Sequence, residues 1–333
     1  MSERRWNPQL REWTITATHR QDRTFLPPAD FCPLCPTRPG HPPTEIERET
    51  YDIVVFQNRF PSLVPHPPEP AVEGTRSMPA APALGECEVI VYTPVHDATL
   101  AGASLQRIRH LIGVWAHRTR ELAARDGIAY VFVFENKGEV IGVTLNHPHG
   151  QVYAYPTIPS LIEREVAAGR AHDAETGHCL WCDLVSEESA DGRREIFQTR
   201  SWQVVVPFFA RWPYEVHLRP KRHVGWLHEL DEGEIEDLSR GLKTLLLRYY
   251  ALFGFSLPYI MAIHQRPVGP GHEGYHLHVE FLPPHRTERK LKYLAGSETA
   301  AGAFINDTLP EETAARLRAL EPRDPYGPLE GAG

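Results

Sequence analysis

The sequence predicts an α+β fold made of two copies of one unit, in which an antiparallel sheet carries a packed helix. Two observations lead to this prediction: one order of motifs occurs twice, and strand-like and helix-like segments alternate within each copy. From an isolated histidine to an H-x-H motif there are 51 residues in the first copy (96 to 147) and 53 in the second (223 to 276). At 333 residues the chain has the length of about two domains. We expect domains at residues 1–157 and 158–325 and a disordered Gly- and Pro-rich tail at 326–333.

The elements of the first copy follow from hydrophobic patterning. They are an extended segment, an apolar strand, an amphipathic helix, a buried strand and an alternating strand, at residues 51–56, 89–92, 105–122, 130–134 and 152–155. Ser104 stands at the N-cap position of the helix and Gly127 lies beyond its end. A Pro-rich stretch, 61–82, is expected to form a long surface loop.

The second copy repeats this order of elements. Strand-like segments at 202–207, 259–263 and 276–280 surround a helical pattern at 235–249 that Gly254 closes. We therefore expect the second half to have the same architecture as the first.

Composition and charge exclude several classes of protein. A net charge of −8 counts against a nucleic-acid-binding surface, which is typically basic. No apolar run approaches the roughly 18 residues that a transmembrane helix needs. The charged opening segment lacks the apolar core of a secretory signal. We expect a cytoplasmic protein with no nucleic-acid or membrane partner.

Four of the five cysteines form two C-x-x-C pairs, Cys32 with Cys35 and Cys179 with Cys182. An odd cysteine count in a chain of this length does not indicate a disulfide framework. The first pair is followed by Pro36 and so lies in a stiff loop, whereas a thioredoxin-like redox pair opens a helix. The pairs are therefore interpreted as metal ligands in a reducing compartment.

Each copy offers a complete set of ligands for zinc. A structural zinc site takes four sulfur or nitrogen ligands and leaves no open position. The sets are Cys32, Cys35, His96 and His147 in the first copy, and Cys179, Cys182, His223 and His276 in the second. We expect one or two zinc ions per chain.

His149 and Gln151 are the candidate catalytic residues. Residues two apart on a strand face the same side, so these two side chains project together with His147. When His147 binds metal, His149 is left as a neutral imidazole that can attack phosphorus and form a nucleotidyl-histidine. Gln151 can donate to the phosphoryl oxygen as charge develops there. Gly150 suggests that a ligand closely approaches the backbone. Histidines on a strand are usually surface groups or hydrogen-bonded core groups without a chemical role. The C-x-x-C pair and the isolated histidine upstream of each H-x-H motif argue against that interpretation here.

Several motifs, taken in this order, resemble galactose-1-phosphate uridylyltransferases of the histidine-triad superfamily. The matching segments are the opening stretch 5–23, the N-x-F motif 58–60, FENKG at 134–138, HPHGQ at 147–151 and WPYE at 212–215. The resemblance covers nearly the whole chain. It implies two tandem histidine-triad-like domains, each an antiparallel sheet with packed helices.

The resemblance also implies a two-step exchange reaction. UDP-glucose gives its uridylyl group to His149 and glucose 1-phosphate leaves; galactose 1-phosphate then accepts the group to give UDP-galactose. The residues implied to contact nucleotide or phosphate are Arg20, Arg23, Asn58, Asn136 and Gln151, and those implied for the sugar phosphate are Thr144, Lys292, Tyr293 and Glu298. Paired arginines suit a multivalent phosphate. A homodimer is also implied.

Two departures from the family pattern leave specificity open. Arg59 stands where Asp is usual, and Ser297 stands where Tyr is usual. The alternative enzyme is a related ADP-using nucleotidyltransferase or a sugar-nucleotide phosphorylase. The non-enzymatic alternative is a zinc-stabilised nucleotide-binding protein without turnover. That alternative predicts a missing nucleophile, whereas His149 and Gln151 are intact.

A second metal set competes for the second half of the chain. Many family members carry a metal bound by one Glu and three His, and the matching residues are Glu165, His264, His278 and Glu280. One histidine is therefore replaced by a glutamate. This set, with iron as a candidate ion, is the alternative to zinc at the second C-x-x-C pair.

Overall fold

The computed structural model describes residues 2–22 and 31–325, so Arg23 and the predicted tail lie outside the described part. The strands in this part are β1 (Ser2–Asn7), β2 (Glu12–Ala17), β3 (Val54–Gln57), β4 (Ala80–Pro82), β5 (Glu86–Val91), β6 (Tyr130–Lys137), β7 (His149–Tyr155), β8 (Glu195–Gln198), β9 (Trp202–Val205), β10 (Val216–Pro220), β11 (Tyr259–His264) and β12 (His278–Leu282). The α-helices are α1 (Leu105–Ala123), α2 (Ser160–Thr176), α3 (Leu180–Asp191), α4 (Glu232–Phe253), α5 (Gly296–Ala301) and α6 (Pro310–Ala319). No helix in these ranges is both long and apolar enough to cross a membrane.

One continuous antiparallel sheet runs through both halves of the chain. Its nine strands lie in the order β3-β5-β7-β6-β11-β12-β10-β9-β8. The halves meet where β6 pairs with β11, with Phe134 opposite Ala262. The prediction of an α+β fold with two tandem units is confirmed, and the structure adds that the two units join edge to edge. The boundary at 157/158 remains a prediction.

The helices α1 and α4 pack on one face of this sheet. Ser104 caps α1 by accepting a hydrogen bond from the Arg107 N–H at 3.1 Å, as the sequence predicts. A capping box formed by Asp231 and Glu234 starts α4. Apolar residues of both helices and of the strands form one core cluster that includes Trp115, which is fully buried. Because one sheet face is covered in this way, polar side chains that alternate along the strands collect on the other face.

A second, three-stranded sheet was not predicted from the sequence. Its order is β2-β1-β4, and β4 lies inside the Pro-rich stretch that was expected to be a loop. Pro82 pairs with Glu3 at the edge of this sheet, which is the place in a sheet where proline is tolerated. The surrounding prolines concealed this strand, which is only three residues long.

Candidate active site and metal clusters

A cavity of about 740 Å³ lies on the sheet face opposite α1 and α4. Six of the residues predicted to contact substrate line it: Arg20, Asn58, Asn136, Thr144, His149 and Gln151. They come from a 3₁₀ turn, the ends of β3 and β6, the loop before β7, and β7 itself. The tertiary structure therefore brings together residues that are up to 131 positions apart in the chain.

His149 opens β7 and faces this cavity. Its ring nitrogen Nδ1 lies 2.7 Å from the backbone carbonyl oxygen of His147, which can only accept a hydrogen bond. In the neutral imidazole the proton is therefore on Nδ1, and Nε2 keeps its lone pair. This is the tautomer that a nucleophilic histidine requires.

The missing side chain of Gly150 makes room for other atoms of the protein, a reason for this glycine that the sequence did not give. A Cβ at this position would overlap the Tyr92 hydroxyl and would come within 3.0 Å of the Phe134 carbonyl oxygen. Tyr92 is buried in the core cluster on the helix-covered face. Because neighbouring strand residues point to opposite faces, the space at Gly150 lies on the other side of the sheet from His149.

The first cysteine–histidine set is assembled in space. The ligand atoms of Cys32, Cys35, His96 and His147 all lie within 4.8 Å of one another. His147 Nδ1 is 3.7 Å from Cys32 Sγ and 3.6 Å from Cys35 Sγ. A tetrahedral ion with sulfur at about 2.3 Å and nitrogen at about 2.0 Å places two such ligands about 3.5 Å apart. The set therefore has the spacing of a closed metal site.

The other ring nitrogen of His147 is also held in place. Its Nε2 lies 2.7 Å from the Thr93 carbonyl oxygen and 3.2 Å from the Tyr51 hydroxyl. Such an outer contact fixes the tautomer and the ring orientation of a metal-binding histidine. Burial lowers the pKa of His147 to about 4, which keeps the ring neutral, as a ligand must be. Sequence reasoning missed Tyr51 and Thr93 because nothing in their local pattern marks them.

The second cysteine–histidine set repeats the first in detail. Cys182 Sγ lies 3.7 Å from His223 Nδ1 and 3.6 Å from His276 Nδ1, and His276 Nε2 lies 3.1 Å from the Pro220 carbonyl oxygen. Burial acts to raise the pKa of the Cys179 thiol, but hydrogen bonds from His223 and His276 outweigh it and lower that pKa to about 5. The second C-x-x-C pair lies at the start of α3, so only the first pair is in a loop.

The alternative set in the second half is assembled as well. The ligand atoms of Glu165, His264, His278 and Glu280 lie within 4.8 Å of one another. Burial acts to lower the pKa of His264, but the Glu165 and Glu280 carboxylates outweigh the effect of burial and raise that pKa to about 9. The two sets that compete in the sequence do not exclude each other, because His276 belongs to one and His278 to the other.

Arg59 and Glu45 form an ion pair at the wall of the cavity, with 2.9 Å between Arg59 Nη1 and Glu45 Oε1. The Glu45 backbone N–H donates to the Pro33 carbonyl oxygen at 2.9 Å and so holds the Glu45 backbone against the first C-x-x-C loop. Glu45 is the only acidic residue among the described residues that line the cavity. Arg59, which stands where Asp is usual in the family, is therefore paired with a carboxylate that the sequence analysis did not single out.

Three residues predicted to bind sugar phosphate do not line the cavity of their own chain. Lys292 is buried, and its Nζ lies 3.0 Å from Glu298 Oε1. Tyr293 is 76% exposed. These residues follow β12, whereas the cavity is built from the first half of the chain. Within one chain, only Thr144 of the predicted sugar-phosphate set reaches the cavity.

The fold and this cavity define a protein of two repeated α+β units, of which the first carries an H-x-H-G-Q strand facing a pocket. The chain belongs to the galactose-1-phosphate uridylyltransferase family. Residues 1–159 match the N-terminal domain of galactose-1-phosphate uridyl transferase, and residues 165–324 match the C-terminal domain.

Individual relatives agree with this family. The galactose-1-phosphate uridylyltransferase of Thermotoga maritima is 39% identical over 323 residues, which are 96% of this chain and 99% of the relative. A solved structure of a uridylyltransferase has a TM-score of 0.85 at 37% identity, covering 95% of this chain and 97% of that one. The structure of an ADP-glucose phosphorylase from Arabidopsis thaliana with bound ADP-glucose has a TM-score of 0.72 at 25% identity. The match covers 96% of this chain and 100% of the phosphorylase chain.

Proposed function

We propose that the protein transfers a uridylyl group from UDP-glucose to galactose 1-phosphate through a covalent uridylyl-histidine at His149. The observation that carries this proposal is the hydrogen bond from His149 Nδ1 to the His147 carbonyl, which leaves Nε2 as the nucleophile inside the cavity. Full-length similarity to galactose-1-phosphate uridylyltransferases supports the choice of substrates.

The chemistry is a double displacement at the α-phosphorus. The His149 Nε2 lone pair forms the P–N bond while the bond to the bridging oxygen breaks, and glucose 1-phosphate leaves with that electron pair. A phosphate oxygen of galactose 1-phosphate then attacks the same phosphorus, and the P–N bond electrons return to Nε2. Arg20 in the cavity wall offsets the phosphate charge. Nδ1 keeps its proton throughout.

We propose zinc at both cysteine–histidine sets. The four-ligand spacing of each set, with both sulfur and nitrogen donors, supports a closed structural ion. Such an ion stabilises the loops that it joins; in the first half these include Pro33 and Leu34, which line the cavity. The set of Glu165, His264, His278 and Glu280 has only oxygen and nitrogen donors, which suits iron as well as zinc.

We also propose a homodimer. An exposed apolar patch in the second half supports it: Phe208 is 70% exposed and Ile305 is 58% exposed. Asn306 joins the two segments of this patch by donating to the Ala210 carbonyl oxygen at 2.9 Å. A dimer in which the segment after β12 approaches the partner's cavity would give Tyr293, which is 76% exposed, a place at the sugar phosphate. None of the five cysteines forms a disulfide, which suits the reducing cytoplasm.

A second candidate function is nucleotidyl transfer or phosphorolysis with an ADP-sugar. Arg59 at the cavity wall favours this candidate, because it replaces the residue usual in uridylyltransferases. The similarity to an ADP-glucose phosphorylase also supports it.

The deciding experiment uses UDP-glucose and ADP-glucose, each labelled in the nucleoside. The purified protein is mixed with each donor, denatured and tested for bound label, while release of glucose 1-phosphate is measured in parallel. We expect label and release from UDP-glucose and an exchange that requires galactose 1-phosphate. Label from ADP-glucose alone would establish the second candidate, and no label from either donor would overturn both.

A further inference from the structure

We propose that Asn58 and Tyr153 are positioning residues that fix which end of the Gln151 carboxamide faces the phosphoryl group being transferred. This inference rests on the proposed uridylyl transfer. It assigns Asn58 a task beyond contacting the nucleotide, and it gives Tyr153 a role that the sequence did not suggest.

The carboxamide oxygen of Gln151 receives both hydrogen bonds. Asn58 Nδ2 donates to Gln151 Oε1 at 3.3 Å, and the Tyr153 hydroxyl donates to the same oxygen at 3.1 Å. A carboxamide has an acceptor end and a donor end on opposite sides of one carbon. With Oε1 held by two donors, the NH₂ group of Gln151 is directed away from them.

A backbone group determines the direction of these bonds. The Phe60 N–H donates to Asn58 Oδ1 at 2.9 Å, and a backbone N–H can only donate. Asn58 must therefore turn its oxygen toward Phe60 and its NH₂ toward Gln151. The Asn58 N–H in turn donates to the Cys87 carbonyl oxygen at 2.8 Å and holds this turn against β5.

Tyr153 holds the same oxygen by a second hydrogen bond. It lies two residues after Gln151 on β7 and shares its face. Its ring packs edge-on against Phe134, with 5.1 Å between the centroids, and the residue is 9% exposed. Burial raises the pKa of Tyr153, so the hydroxyl keeps its proton and remains a donor.

This orientation matters for the chemistry because negative charge develops on the phosphoryl oxygens during attack. A donor that is already aimed at such an oxygen stabilises the transition state without reorganisation. A Gln151 side chain rotated by a half-turn would present lone pairs to the same oxygen and would repel it. Asn58 excludes the rotated form, because that form would place the NH₂ group of Gln151 against the NH₂ group of Asn58. Tyr153 adds a second hydrogen bond to Oε1 in the observed form.

The test measures the single-turnover rate of enzyme labelling at saturating UDP-glucose. Asn58→Asp keeps the shape but can only accept, so Gln151 rotates; we expect a rate loss approaching that of Gln151→Ala, roughly 10²-fold or more. Tyr153→Phe removes one of two restraints and is expected to lower the rate roughly three- to tenfold. Tyr155→Phe, which changes a partly buried tyrosine of the same strand outside the cavity wall, is the matched control and keeps the wild-type rate.

Double substitutions separate positioning from any independent effect. If the two residues act through Gln151, then Asn58→Asp and Tyr153→Phe have no further effect in the Gln151→Ala background. Rate losses that persist in that background would overturn the inference while leaving the proposed function intact. A wild-type protein that takes up no label would overturn the proposed function, and the positioning role with it.

Discussion

His149 and His278 make the same hydrogen bond at equivalent places in the two halves. Each ring donates from Nδ1 to the backbone carbonyl two residues earlier, at 2.7 Å in the first half and 3.0 Å in the second. The surroundings of the two rings differ. Gln151 lies two residues after His149, whereas Glu280 lies two residues after His278. His278 is also almost fully buried. The fold thus preserves the orientation of the ring in both halves, while the neighbours suit a nucleophile in one half only.

Replacing His149 tests this assignment. We expect His149→Ala to fold and to keep its first metal, because His147 supplies the ligand atom. It should form no covalent intermediate, since the P–N bond then has no nitrogen donor. Bound label after denaturation and zinc content are measured on one sample, with the exposed His110→Ala on α1 as control. Label on His149→Ala equal to that on wild type would assign the nucleophile elsewhere.

Gln151→Ala is expected to lower kcat by roughly 10²–10³-fold, the usual cost of removing one donor to a developing oxyanion. Binding of UDP-glucose should weaken much less, because the interaction strengthens mainly in the transition state. Steady-state kinetics together with equilibrium binding distinguish these effects. An increase in KM at unchanged kcat would show instead that Gln151 binds substrate and transition state equally.

Gly150→Ala is expected to destabilise the protein by about 1–3 kcal/mol, because the new methyl group overlaps the Tyr92 hydroxyl. Adding Tyr92→Phe removes the overlapping oxygen and should recover part of the loss. The control is Gly113→Ala in α1, where a Cβ meets nothing within 4 Å and helix propensity improves. Denaturant unfolding measures all three; no difference between the two alanine variants would contradict the overlap.

The double variant Cys179→Ser, Cys182→Ser is expected to lose about one zinc ion per chain and to melt at a lower temperature. It should retain much of its activity at low temperature, because a closed four-ligand set leaves no position for substrate. Cys87→Ala, which removes a cysteine outside the three clusters, should keep the full metal content. Should the double variant keep its metal, the cluster of Glu165 and His264 would become the better site.

The sequence by itself determined the main strands and the long helix of each unit and the groups that carry chemistry. Helical periodicity and Ser104 predicted α1 closely, and the repeated order of cysteine and histidine motifs predicted two units with equivalent ligand sets. Alternation along a strand was sufficient to predict that His149 and Gln151 share a face. These inferences succeed because they depend on residues that are close in the chain or on a pattern that occurs twice.

Only the tertiary structure decided what these groups contact. It showed that the Tyr92 hydroxyl occupies the space beside Gly150, and that both candidate metal sets of the second half are assembled. It also showed that Lys292 lies away from its own chain's cavity and that Tyr153 contacts Gln151. Each of these depends on packing between strands and loops that are distant in sequence, and no local pattern encodes which side chain meets which. A residue's chemistry can therefore be predicted from its type and spacing, whereas its partner follows from the folded chain.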